Sequence, residues 1–257
     1  MISVVDFVRF SLSFIRLSTF MAVAPLFNMR NVPMMVKLGF AALCALLTMP
    51  PLAGSWNLDS WAVLALLAMH EVVIGFSLAF VVILVFSIVN FAGHYVDTPI
   101  GFGMASVFDP AIGGQVPVFS QFYYIFAVLI FLGVDAHLWL IQAVQYSFQA
   151  IPFGTIIQLE PAFSLIMDLI KQVFIIGIQI ALPITATILL TDIGLGIVIR
   201  AVPQINVFVL GFPIKILVGL VVVFFGLPTF IYIASQLFAV DGLLFRYVQG
   251  LLALGGS

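Results

Sequence analysis

Charges along this chain are so sparse that its apolar segments can be read as the gaps between them. Asp6, Arg9 and Arg16 punctuate a first stretch, Met1–Phe27. Then come runs with no Asp, Glu, Lys or Arg: Leu38–Leu58, Val72–Val96, Pro110–Val134, Ala136–Leu159, Gln172–Thr191 and Ile216–Val240. A helix that spans a bilayer needs about 20 predominantly apolar residues. Five or six of these segments reach that length or nearly so, which predicts an all-α membrane protein. No internal polar stretch is long enough for a soluble domain, so residues 1–257 read as a single integral domain.

The runs depart from ordinary spans. Asp6, Arg9, Ser13 and Arg16 recur on one helical face. An arginine at the centre of a membrane helix costs about 2.5–3.5 kcal/mol, so two facing lipid would cost roughly 5–7 kcal/mol. The stripe is expected to face protein, with Asp6 paired to Arg9, or else an aqueous lumen. Pro183, and Gly219, Gly226 and Pro228, fall inside apolar runs and predict broken helices packed on neighbours, because irregular backbone at membrane depth needs protein or water to satisfy it. Gly75 with Ala79, and Gly177 with Ala181, have the small-xxx-small spacing of close helix contacts. Arg30 and Lys37 bracket one connection, and Arg200 and Lys215 another. The Trp56–Trp61 connection carries only Asp59. The positive-inside rule puts the first two in the cytoplasm and the third outside. Ala22-Val23-Ala24 has the shape of a signal-peptidase site, but Asp6 and Arg16 spoil the preceding pattern, and the segment is expected to stay as the first helix.

Composition closes off other classes. With 64% hydrophobic and 7% charged residues, the chain has too few charges to cover a soluble body and too much apolar content for disorder. What remains is a polytopic membrane protein, or a chain buried in a larger assembly. The net charge is −2 and no two basic residues are adjacent, which excludes nucleic acid as a partner. One cysteine, Cys44, makes neither an internal disulfide nor a zinc site and reads as a buried small hydrophobe.

Catalytic patterns fail one by one. His70-Glu71 opens an H-E-x-x-H motif, but Ile74 stands where the second histidine belongs. Gly101-Phe102-Gly103 lacks the third glycine of a dinucleotide fingerprint, since Ser106 stands there. Neither a P-loop nor a G-x-S-x-G elbow occurs. His70, His94 and His137 are far apart in sequence and read as packed or interfacial histidines. No catalytic residue, metal or cofactor is expected.

Polar residues gather in two places. Tyr95–Gln121 holds Asp97 and Asp109 among prolines and glycines that stop a regular helix, and reads as a loop with apolar tips at Met104, Val107, Phe108, Ile112 and Val116. It is either a re-entrant connector or a hydrophobic constriction of the kind that gates a pore by excluding water. Thr191–Ile216 clusters Arg200, Gln204, Asn206 and Lys215, with Pro203 and Pro213 framing a turn between two helices.

The second segment, RAVPQINVFVLGFPIKI at Arg200–Ile216, resembles the signature of the FliR family of flagellar type III export-gate proteins. Three further features are similar to that family: His70-Glu71 with Gly75; Asp97 with Gly101 and Gly103; and Asp109-Pro110 followed by Gly114, Gln115 and Pro117. The resemblance covers essentially the whole chain. It implies bent helical hairpins stacked in a helical assembly, with a FliP-like part over about 1–170 and a FliQ-like part over 171–257. It implies a non-enzymatic subunit of the FliPQR complex in the bacterial inner membrane, at the flagellar basal body. The partners it implies are FliP-like and FliQ-like subunits, a FlhB-like switch protein and unfolded flagellar export substrates. By the same resemblance, Ser106, Val107, Phe108, Asp109, Pro110, Ile112, Gly113, Gly114, Val116 and Pro117 look like a pore plug. Arg200, Pro203, Gln204, Asn206, Phe208, Gly211, Pro213 and Lys215 look like a cytoplasmic entrance and partner contact. The reading from another class is a stand-alone secondary transporter with a midplane substrate site. Against it, no paired repeat of interrupted segments is evident. A purely structural role in the gate, without lining the pore, is the other alternative.

Overall fold

The computed structural model describes residues 4–25, 27, 33–48, 50, 60–101, 117–155, 159–203 and 207–255, with the backbone alone at 159 and 207–209. All regular structure among these residues is helical: α1 (Val4–Val23), α2 (Met34–Thr48), α3 (Trp61–Ile100), α4 (Val118–Gly133), α5 (Ala136–Ala150), α6 (Leu159–Ala201), α7 (Val207–Phe238) and α8 (Leu243–Ala253). Three of the described helical segments are long and apolar enough to cross a membrane, and a fourth if α4 and α5 form one broken span. This is fewer than the charge gaps predict. Among the described residues, the Leu38–Leu58 run contributes the short α2 and the Pro110–Val134 run contributes α4.

Proline does not divide α6 or α7. Pro183 lies inside the 43-residue α6, and Pro213 and Pro228 lie inside the 32-residue α7. The breaks predicted at Pro183 and Pro228 are therefore absent, and Pro213 sits within α7 rather than framing its start. Threonine hydroxyls bond the backbone around Pro183. Thr185 donates to the carbonyls of Ala181 and Leu182, and Thr187 to that of Pro183 at 2.8 Å. The carbonyl that Pro183 leaves without its helical donor is that of Gln179, four residues earlier, so these hydroxyls brace the turn that follows the proline and do not replace its missing bond.

The chain forms two compact units. The first comprises Met1–Val85, Val134–Leu169 and Phe238–Ser257. In it α1 packs on α2, and α5 on α8. The charged stripe of α1 turns inward, with Ser13 and Arg16 fully buried and Arg9 joined to Asp6 at 3.5 Å. Arg16 donates from Nε to Glu71 Oε2 of α3 at 2.6 Å, from Nη1 to Ser147 Oγ of α5 at 3.0 Å, and from Nη2 to the Ile151 carbonyl at 2.9 Å. Its guanidinium lies 4.3 Å from the centre of the Phe148 ring. The protein-facing alternative of the sequence is thus the observed one. One turn along α3 from Glu71, Gly75 lets the two helices touch: a Cβ there would sit 2.5 Å from the Arg16 carbonyl oxygen.

The same unit ties α8 to α6 through Tyr247, whose hydroxyl donates to Asp168. Tyr247→Phe is expected to lower stability by about 1.5–3 kcal/mol, the range for a hydrogen bond to a charged group. The check is the midpoint of thermal unfolding in detergent, followed by size exclusion.

The second unit comprises Phe86–Gly133 and Ile170–Leu237. Aromatic contacts cross it: Tyr123 of α4 stacks on Phe230 of α7 at 4.4 Å, and Phe91 of α3 meets Phe174 of α6 edge-on at 5.2 Å. Gly177 gives α6 its approach to α3, since a Cβ there would lie 2.5 Å from Phe91 Cδ1 and 3.3 Å from the Ile88 carbonyl oxygen. Ala79 and Ala181, the small partners of Gly75 and Gly177 in sequence, are fully buried.

Candidate functional site

The central segment leaves α3 and returns to α4 within the second unit, and both departure points are closed by specific chemistry. At the α3 end, the Gly101 N–H bonds the Asp97 carbonyl at 3.3 Å, and Gly101 has φ +99. This is the left-handed helix stop that glycine adopts without strain. At the α4 end, Pro117 stands at the cap position, and the Gln121 N–H bonds its carbonyl at 3.2 Å. Proline has no side-chain acceptor, so α4 cannot cap its own first amides.

Asp97 supplies the missing cap from α3. Its Oδ1 accepts from the Phe119 N–H at 2.8 Å and its Oδ2 from the Ser120 N–H at 3.1 Å. These are the second and third helical amides, the ones an N-cap side chain normally takes. The carboxylate also faces the positive end of the helix dipole. Asp97 is 6% exposed, and Gly93, one turn earlier, makes its approach possible. A Cβ on Gly93 would sit 2.2 Å from Ser120 Cα. Ser120 Oγ adds a longer bond to the Asn90 carbonyl at 3.4 Å. One aspartate thus fastens both roots of the intervening segment to each other.

The α6–α7 hairpin carries the other candidate residues. Arg200 and Pro203 are exposed, Gly211 is buried, and Pro213 is exposed on α7. Lys215 is half-buried and forms an ion pair with Asp192 of α6. Its charge therefore has a partner within the chain.

Of the residues implied for the plug, Ser106, Val107, Phe108, Asp109, Pro110, Ile112, Gly113, Gly114 and Val116 lie outside the described residues, and Pro117 lies inside them. Gln204 and Asn206 of the entrance set also lie outside, and Phe208 is described only by its backbone. Sequence reasoning missed the partners of three carboxylates: Asp97 with the α4 amides, Glu71 with Arg16, and Asp192 with Lys215. For the first, the signal was a proline at a cap position with no acceptor of its own. For the third it was symmetry, because Asp192 and Lys215 lie equally far in sequence from the Pro203-Gln204 pair. Among the described residues no three of His, Cys, Asp and Glu gather as a metal site would require.

Long apolar helices, an inward-facing arginine and two helix ends fastened together by a carboxylate define an all-α membrane protein built on internal polar fasteners. The model of the bacterial export proteins, family 1, matches residues 7–240. The chain belongs to that family. It is 35% identical to the flagellar biosynthetic protein FliR of Bacillus subtilis, over 99% of this chain and 98% of the relative. It is 32% identical to the FliR of Pectobacterium carotovorum, over 90% of this chain and 88% of the relative. The FliR of Escherichia coli is 31% identical, over 80% and 79%.

Proposed function

We propose that this chain is a non-enzymatic subunit of the flagellar type III export gate, where it helps form and seal the conduit for unfolded flagellar proteins. Full-length similarity to proteins named flagellar biosynthetic protein FliR carries the reading. In it the chain sits in the bacterial inner membrane at the basal body, beside FliP-like and FliQ-like subunits and a FlhB-like switch protein. The division into a FliP-like part, about 1–170, and a FliQ-like part, 171–257, belongs to the same reading.

The geometry supports a plug at residues 106–117. A seal that opens must hinge at fixed points, and the Asp97 cap with the Gly101 stop supplies two such points. Apolar tips at Ile112 and Val116 exclude water, and Gly113 and Gly114 supply softness. The α6–α7 tip supports a partner contact. Leu190, Ile193 and Ile197 are 62–68% exposed there, close in sequence to Asp192 and Arg200, a mixture that suits a protein surface better than lipid.

Two measurements test the proposal. Co-expression with FliP-like and FliQ-like subunits, extraction in mild detergent and mass determination should give a defined assembly with one copy of this chain. A partner-free monomer or dimer would refute it. In that assembly, deleting residues 112–116 should raise the permeability of the resting gate to small ions, measured as ion flux in reconstituted vesicles. Unchanged flux would remove the plug from the reading.

A further inference from the structure

The ion pair between Asp192 and Lys215 lies where the hairpin has little else to hold it. In α6 the last buried side chain is Ile188, and none from Leu189 to Ala201 is buried. Beside the pair is a cavity of about 180 Å³, walled by Leu195, Gly196, Ile199, Gly211 and Phe212. Within the chain itself the tip of the hairpin is open on this side, and there is room for α7 to shift against α6.

On α7, Phe212, Lys215 and Gly219 stand at i, i+3 and i+7 and share one face. Both flanking positions of that face rest on the end of α3. A Cβ on Gly101 would lie 3.0 Å from Phe212 Cε1, and a Cβ on Gly219 would lie 2.7 Å from Ile100 Cδ1. Lys215 stands between these two contacts and reaches across to α6. Its position on α7 is thus set from two sides: the α3 terminus under its own face, and Asp192 on α6.

We propose that Asp192 and Lys215 are a positioning pair that holds Phe212 on Gly101, and so couples the packing of the α6–α7 tip to the helix stop that ends α3. The consequence for export rests on the export-gate reading. The positioning itself does not. The pair lies among apolar side chains, with Lys215 20% and Asp192 38% exposed, so screening by water is incomplete. Loss of either charge leaves the other unpaired in those surroundings, and α7 relaxes into the neighbouring cavity.

Charge reversal in the full chain, within its membrane assembly, tests this. Asp192→Lys and Lys215→Asp are made singly and together. Hydrogen exchange of residues 97–101 reports the α3 terminus, and secretion of flagellar substrates reports export. Each single reversal should speed exchange at 97–101 by about tenfold, within the range of coupling between residues in contact, and the double should return it close to the native rate. Unchanged exchange in the singles overturns the proposal. So does a double reversal that stays as fast as the singles, because the charges would then act on separate partners. Exchange that follows the pattern while export stays constant upholds the positioning pair and counts against the export-gate reading at the α3 terminus. If reversal prevents assembly, Asp192→Asn, Lys215→Met and their combination replace it. Recovery in the combination supports the pair, since no unpaired charge remains, and additive loss overturns it.

Discussion

Arg16→Ala is expected to lower the stability of the chain by about 3–5 kcal/mol, the cost of leaving one partner of a buried ion pair behind. Glu71 is fully buried, and Arg16 Nε is its hydrogen-bond donor at 2.6 Å. Its second oxygen, Oε1, has no hydrogen bond, and His70 Nδ1 stands 3.5 Å away. Without Arg16, the carboxylate keeps no strong donor. The Ser147 hydroxyl and the Ile151 carbonyl lose theirs too, and the Phe148 ring loses its cation. Glu71→Ala should cost a similar amount, because the guanidinium is then the orphan. The combination Arg16→Met with Glu71→Leu should be more stable than either single variant, since apolar side chains of similar volume remove both charges together. The measurement is the fraction of protein that remains monodisperse after a heating series in detergent. Single variants within about 1 kcal/mol of the native chain would show the pair to behave as an exposed one.

These three residues also show how far the sequence could be read. The i, i+3, i+7, i+10 stripe on α1 was legible as one polar face turned toward protein or an aqueous lumen, because the periodicity of a helix is local. Its partner was not. Glu71 lies 55 residues from Arg16 and Ser147 lies 131 away, and nothing in the local pattern names a contact so distant. Gly75 was legible as a small residue, but its service to the Arg16 carbonyl appears only once α1 and α3 are placed side by side.

Proline misled for a related reason. Pro183 removes one helical hydrogen bond, and the sequence alone reads that as a break. α6 nevertheless continues through it, with the hydroxyls of Thr185 and Thr187 turned back onto carbonyls of residues 181–183. Both threonines were visible in the sequence, but whether their side chains turn back to the helix or outward is a packing outcome. At the α6–α7 tip the fold class and the hairpin were legible. The internal engagement of Lys215, placed by family resemblance among partner contacts, emerges only when α6 and α7 lie antiparallel.

The second large effect is expected at the root of the central segment. Gly93→Ala places a methyl group within 2.2 Å of Ser120 Cα, 2.6 Å of Ser120 N and 3.0 Å of the Phe119 carbonyl carbon. All three are backbone atoms, so no flexible side chain can yield, and α4 must move away from α3. Asp97 is one turn further on the same face of α3, and its bonds to the Phe119 and Ser120 amides stretch as α4 retreats. Asp97→Ala removes the same two bonds directly and is expected to cost about 3–6 kcal/mol, from two hydrogen bonds to a charged acceptor. Asp97→Asn keeps one acceptor oxygen and should fall between. Overpacking alone makes Gly93→Ala cost about 1–3 kcal/mol, and the lost cap adds to it. Because both variants act on one contact, the double variant should cost less than their sum. The discriminating measurement is hydrogen exchange at Phe119, Ser120 and Gln121. Asp97→Ala and Gly93→Ala should speed exchange at all three, while the amides of α1 remain as in the native chain. Equal loss of protection in α1 would mean global destabilisation, and the carboxylate would then be a packing element rather than the fastening of the central segment.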